Sequence, residues 1–182
     1  MLDTAALAEV RQASLEIVAR QMGEPRVAEL FASCFDRSIP ETLRSADDGS
    51  VFVVTGDIPA MWLRDSACQV RPLLPFASEV AGVEQLVSAV LRRQMRLICL
   101  DPYANAFNPV PNGAGHADDR PRSSPWVWER KYEVDSLAHP FHLGYLLYLA
   151  TGRASWFDSA AQAAARLMVA TLRAEQFHET RS

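Results

Sequence analysis

Residues 82–99, GVEQLVSAVLRRQMRLIC, place Val83, Leu86, Val90, Leu91, Met95 and Ile98 on one face of a helix. A helix with such a stripe is stable in water only when another apolar surface covers it. The same period returns in residues 4–22 (Ala6, Val10, Ala13, Ile17) and in residues 154–177 (Phe157, Ala161, Ala164, Met168, Leu172). Thr4 is a ready cap for the first helix and Gly23 a stop. Pro25 suits the first turn of a second helix running to about Arg37, and Pro40 opens a short third piece through Arg44. After Trp62 a helix resumes through Leu74, interrupted near Pro72 and Pro75. Residues 136–150 read as a helix with Gly152 as its stop. The predicted fold is therefore mostly α, a set of helical hairpins. Val51–Val54 is the one strand expected, a short strand or β-turn region after the polar turn SADDGS. Residues 101–135 carry many prolines and glycines with little periodicity, which predicts a long loop. Its aromatic residues Tyr103, Phe107, Trp126 and Trp128 favour an ordered one. No linker interrupts the chain, so 1–182 reads as a single domain.

A net charge of −4 speaks against a nucleic-acid or anionic-membrane partner. No basic-then-apolar leader and no run of about 18 apolar residues occurs. The three cysteines, Cys34, Cys68 and Cys99, are far apart and form no CxxC, so they read as reduced, buried thiols of a cytoplasmic protein. His139 and His142 have a permitted ligand spacing but flank Pro140 and lack a third ligand, so neither a metal nor another cofactor is expected. No P-loop, GxGxxG or GxSxG is present to support nucleotide or acyl chemistry.

Chemistry concentrates in VFVVTGDIPAMWLRDSACQVRPLL, residues 51–74. Asp57, Trp62, Arg64 and Asp65 fall within nine residues. Carboxylates accept hydrogen bonds from vicinal hydroxyls, a guanidinium donates in a planar fork, and an indole offers a flat apolar face. Those groups suit a sugar, although Asp65 could equally cap a helix, Asp57 could serve its own turn, and Trp62 could be core. A second block, WERKYEVDSL at 128–137, holds Glu133 and Asp135. Two residues apart in an extended segment, these face the same side. Glycosidic cleavage with inversion needs an acid and a base flanking the sugar, roughly 6.5–9.5 Å apart. Same-side neighbours fit that poorly, so they read as substrate-orienting groups, with Asp135 alternatively an N-cap. Asn105 and Asn108 in the loop are candidate hydroxyl readers.

TGDIPAMWLRDS with the QV that follows, together with WERKYEVDSL, resembles the signature of glycoside hydrolase family 125, the metal-independent exo-α-1,6-mannosidases. The order and spacing of the two blocks fit the N-terminal part of that family. The resemblance implies an (α/α)6 toroid of about twelve helices, of which 182 residues form roughly half. It implies removal of terminal mannose from a mannose-terminated oligosaccharide, with inversion and without metal. Asp57, Trp62, Arg64, Asp65, Asn108, Glu133 and Asp135 would bind the substrate. The general acid and base match no residue in 1–182 and are expected beyond it, so the chain alone reads as an inactive fragment. Half a toroid also leaves helix faces uncovered, which predicts self-association. The alternatives are another (α/α)6 glycosidase, or a non-catalytic helical module that binds carbohydrate or protein.

Overall fold

The computed structural model describes residues 4–116, 118, 120–121 and 123–176. Helices α1 (Thr4–Met22) and α2 (Pro25–Ser38) form a hairpin, with Pro25 in the first turn of α2 as its sequence position predicts. A two-stranded antiparallel ribbon follows, β1 (Leu43–Ser45) on β2 (Val51–Val53), closed by the SADDGS turn. Next come β3 (Met61–Trp62), α3 (Leu63–Val70), a 3-10 turn (Arg71–Phe76) and α4 (Ala81–Leu100). Strands β4 (Ala106–Phe107) and β5 (Val127–Glu129) join β3 in a second antiparallel sheet of order β3-β4-β5. Helices α5 (Val134–Thr151) and α6 (Ser159–Glu175) complete the described chain.

Alternate helices pack on one another. Helix α3 lies against α5 and α4 against α6, so successive hairpins stand side by side in two layers. Helix α4 sits between α1, α3, α5 and α6. The predicted stripe is buried, together with Val87 and Gln94 on the same face and Arg93 at its edge, while Gln85, Arg96 and Cys99 on the opposite face are exposed. Apolar periodicity passes over Gln94 because its side chain is polar, although its position lies on the buried face. Gln94 is fully buried; its Nε2 donates to the Leu63 carbonyl at 3.1 Å and to Ser66 Oγ at 2.8 Å. That amide fastens the start of α3, where the candidate site begins. Each large aliphatic side chain in this core contributes about 1.5–3 kcal/mol of transfer free energy.

Several local expectations need correction. Residues 40–44 form no helical piece: they turn and enter β1, because Val51–Val53 needs a partner strand for its backbone groups. Val51–Val53 is one of five short strands among the described residues, not the one strand expected. The segment 101–135 is not structureless, since β4 and β5 pair inside it; two- and three-residue strands carry no readable alternation. Helix α5 begins at Val134, with Glu133 in the cap position, so Asp135 lies in its first turn and is not its N-cap. Helix α6 starts later than the expected residue 154, capped by Asp158, whose Oδ1 accepts from the Ala161 N–H at 3.0 Å. Phe177, the expected last residue of that helix, lies outside the described residues. All three cysteines are exposed, not buried. No described helix is long and apolar enough to cross a membrane.

Candidate functional site

The site forms where the first turns of α3 and α5 meet. Gly56 takes a left-handed conformation (φ 68°), which reverses the chain after β2 with no Cβ to strain it. Thr55 Oγ1 donates to the Ala60 carbonyl at 3.1 Å and accepts from the Trp62 N–H at 3.3 Å. The turn thus delivers Trp62 to the start of α3 and puts Arg64 and Asp65 in its first turn. The Leu63 N–H donates to the Asn105 carbonyl at 3.0 Å, which ties this start to the β3-β4-β5 sheet. On the other side, Glu133 is extended (φ −135°, ψ 120°) and Asp135 enters α5.

Arg64 joins the two blocks across 71 residues of sequence: its Nη1 donates to Asp135 Oδ2 at 2.8 Å. The same nitrogen lies 3.6 Å from Glu133 Oε2, and Nη2 lies 3.7 Å from Asp65 Oδ2. One guanidinium therefore faces three carboxylates. The hydrogen bond that Arg64 donates to Asp135 raises the Arg64 pKa above its ordinary value, against a lowering by burial, and Asp65 and Glu133 add to the rise. The same bond holds Asp135 below the usual carboxylate range. Asp65 and Asp135 also sit at helix N-termini, where negative charge is favoured. Ser136 Oγ donates to Glu133 Oε2 at 3.1 Å, and Lys131 Nζ lies 3.9 Å from Glu133 Oε1.

Arg64 and Asp65 line an open cleft of about 600 Å³, within the range of small-ligand sites. Trp62, Ile58, Cys68 and Gln69 form more of its wall. A half-buried indole, a guanidinium and a carboxylate thus border one space, with Glu133 and Asp135 joined to it through Arg64. Glu133 and Asp135 approach the same Arg64 nitrogen at 3.6 and 2.8 Å, so those two oxygens are closer together than the roughly 6.5 Å that an inverting acid–base pair requires. The geometry suits holding hydroxyls. Asp57 occupies the exposed turn between the lining residues Gly56 and Ile58 and does not itself line the wall.

Asn108 is not brought into the cleft. It is fully buried, and its Nδ2 donates to the carbonyls of Ala114 at 2.8 Å and Pro125 at 3.1 Å, drawing the two sides of the long loop together. Asn105 is similarly committed: Nδ2 donates to Glu129 Oε2 at 2.6 Å, and Oδ1 accepts from the Lys131 N–H at 3.3 Å. Gly115 lies on the Trp128 backbone, where an added Cβ would meet the carbonyl oxygen at 2.1 Å. Sequence reading took Cys68 as a buried thiol and Gln69 as part of the family block, and placed neither at the site. Their signal was helical spacing, since Cys68 stands four residues after Arg64 on the same helix face.

Layered helical hairpins carrying an open polar cleft define an α-fold of the (α/α)6 kind, and the relatives agree. The family model described as metal-independent alpha-mannosidase (GH125) matches residues 24–182, and the chain belongs to that family. A solved metal-independent α-mannosidase of Streptococcus pneumoniae, in a non-productive substrate complex with α-1,6-mannobiose, is 43% identical and superposes with a TM-score of 0.86. That match covers 94% of this chain and 41% of the other. The two helical layers are accordingly roughly half of an (α/α)6 fold. The meiotically up-regulated gene 157 protein of Schizosaccharomyces pombe is 36% identical over 156 residues, 79% of this chain and 31% of that protein. The chain thus spans less than half the length of these relatives.

Proposed function

We propose that this chain builds part of the terminal-mannose subsite of an inverting exo-α-1,6-mannosidase. The observation that carries the reading is the Arg64 cluster, in which Arg64 and Asp65 border an open cleft and Arg64 gathers Glu133 and Asp135 from a distant sequence block beside it. Asp65 and Asp135 accept hydrogen bonds from sugar hydroxyls, Arg64 donates, and Trp62 packs against ring C–H groups. Asp57 contacts the sugar from the turn above. Asn108 serves by ordering the loop and not by touching the substrate. The α-1,6-mannobiose complex of the streptococcal relative supports the sugar and linkage.

General acid and base belong to a longer chain in this reading, because Glu133 and Asp135 stand too close for those roles and the relatives are more than twice as long. The exposed apolar side chains Tyr145, Tyr148 and Leu149 on α5 are then the seat of a further hairpin, or of a second copy when the 182 residues are isolated. A cytoplasmic setting belongs to the same proposal, and cell fractionation tests it.

The test is release of mannose from α-1,6-mannobiose by the natural product, with its intact mass measured alongside. A product on the order of two to three times 20.2 kDa that hydrolyses the disaccharide with inversion supports the reading. A product of 20.2 kDa that binds mannose and leaves the disaccharide intact overturns it in favour of a binding module.

A further inference from the structure

Helices α3 and α5 meet in two successive rungs. The first is Arg64 with Asp135. One turn further along each helix stand Cys68 and His139, with Cys68 Sγ 3.5 Å from His139 Nδ1. The first rung joins opposite charges; the second sets a thiol against an imidazole nitrogen. With the ring proton on Nε2, the Cys68 thiol donates to Nδ1. His139 is half-buried and its ring meets that of the exposed His142 edge-on, 6.5 Å between centroids. Cys68 is exposed and lines the cleft beside Arg64, Asp65 and Gln69.

The other two cysteines lack this arrangement. Cys34 Sγ has no hydrogen-bond partner among the described residues, and Cys99 Sγ donates to the Ala160 carbonyl at 3.5 Å. Burial, aided by Asp158, pushes the Cys99 thiol up. A thiol reacts as its thiolate, so a proton acceptor in contact with sulfur and an open approach distinguish a reactive cysteine from an inert one.

We propose that Cys68 is a nucleophilic modification site inside the cleft, taking small alkylating electrophiles, with His139 receiving the thiol proton. Sulfur attacks the electrophilic carbon. The Sγ–C bond forms as the bond to the leaving group breaks, the leaving group departs with its electron pair, and the proton passes to His139 Nδ1 and then to water. The adduct projects into the space between Trp62 and Gln69. Its effect on sugar binding rests on the function proposed above; the reactivity of the thiol does not.

The experiment is residue-resolved labelling of the full-length protein with chloroacetamide, read by peptide mass spectrometry. Cys68 is expected to react about tenfold or more faster than Cys34, which is also exposed. His139→Ala and the bulkier His139→Gln should each bring Cys68 down by about tenfold while leaving the Cys34 rate unchanged. Cys68 reacting no faster than Cys34, or keeping its rate in His139→Gln with Cys34 unaltered, overturns the assignment. A repeat with saturating α-1,6-mannobiose separates the two ideas. Slowed Cys68 labelling supports both. Unslowed labelling with the rate contrasts intact supports the thiol assignment and counts against the sugar site.

Discussion

Arg64 and Arg93 are both conspicuous basic residues of this half-toroid, and their surroundings differ in kind. Arg93 is enclosed: its Cζ lies 5.7 Å from the Phe52 ring centre and 6.0 Å from that of Trp126, and its Nη2 donates to the Pro109 carbonyl at 3.0 Å. A single carboxylate, Asp48, lies 3.9 Å away and is shared with Arg96. Burial lowers the Arg93 pKa, with Asp48 opposing it. Arg64 is about a third exposed, faces three carboxylates, and has its pKa raised. Arg93 gives its Nη2 hydrogen bond to the long loop and stacks on Phe52 and Trp126, clamping that loop to β2 and α4, with its Nε buried and unpartnered among the described residues. Arg64 sits in an excess of negative charge on an open wall, where ligand hydroxyls can use what the protein leaves unused. An arginine enclosed by aromatics and carbonyls holds a fold together; one among surplus carboxylates at a cleft is placed for a ligand.

That contrast can be broken by mutation. In the full-length protein, Arg64→Ala should cut kcat/KM on α-1,6-mannobiose by about 100-fold, the loss of a charged hydrogen bond of about 1.5–3 kcal/mol, and leave the urea midpoint almost unchanged. Arg64→Lys should restore only part of it, because an ammonium lacks the planar fork. Near-wild-type kinetics for Arg64→Ala would remove Arg64 from the site. Arg93→Ala should do the reverse: chemical denaturation should report a loss of about 2 kcal/mol, from the stacked stem, the carbonyl bond and the orphaned Pro109 oxygen. A stability within about 0.5 kcal/mol of wild type would show that the clamp is not structural.

Asp65→Ala should reduce kcat/KM by more than about tenfold, since it removes one acceptor while Glu133 and Asp135 still neutralise Arg64. Unaltered kinetics would leave Asp65 as a helix-dipole residue alone. The smallest effect concerns pH. Arg64 holds the Asp135 pKa below its unfolded value, so the stability from this pair is complete above about pH 4 and is lost as pH falls through the folded value. Asp135→Asn should therefore be less stable than wild type by a few tenths of a kcal/mol at pH 6, small because the pair is half-exposed. The gap should close on acidification below about pH 4. Urea midpoints for both proteins across that range check it, and a gap of constant size would remove the ion pair as its cause.

Much of the helical framework was legible because its signals are local. Helix α1 occupies the predicted residues, Pro25 and Gly152 mark the boundaries they suggested, and the apolar stripe of α4 is buried. The failures share one cause. The piece after Pro40 became β1 because β2 required a partner; β4 and β5 are too short for alternation to show; Gln94 and Arg93 are covered with the apolar face of α4 by the elements packed on it. Asn108 was readable as a polar loop residue, but nothing in its neighbourhood told that the loop would close over it.

The sequence alone determined which groups were available: two family blocks, their carboxylates, guanidinium and indole, and helices set by a period of 3.6 residues. Only the tertiary structure decided which groups meet. Arg64 reaches Asp135, and Cys68 reaches His139, across 71 residues each, by the docking of α3 on α5. Helical periodicity is written in neighbours three and four residues apart, whereas docking depends on packing and loop closure summed over the whole chain, so the pairings that make a cleft exist only once the layers have formed.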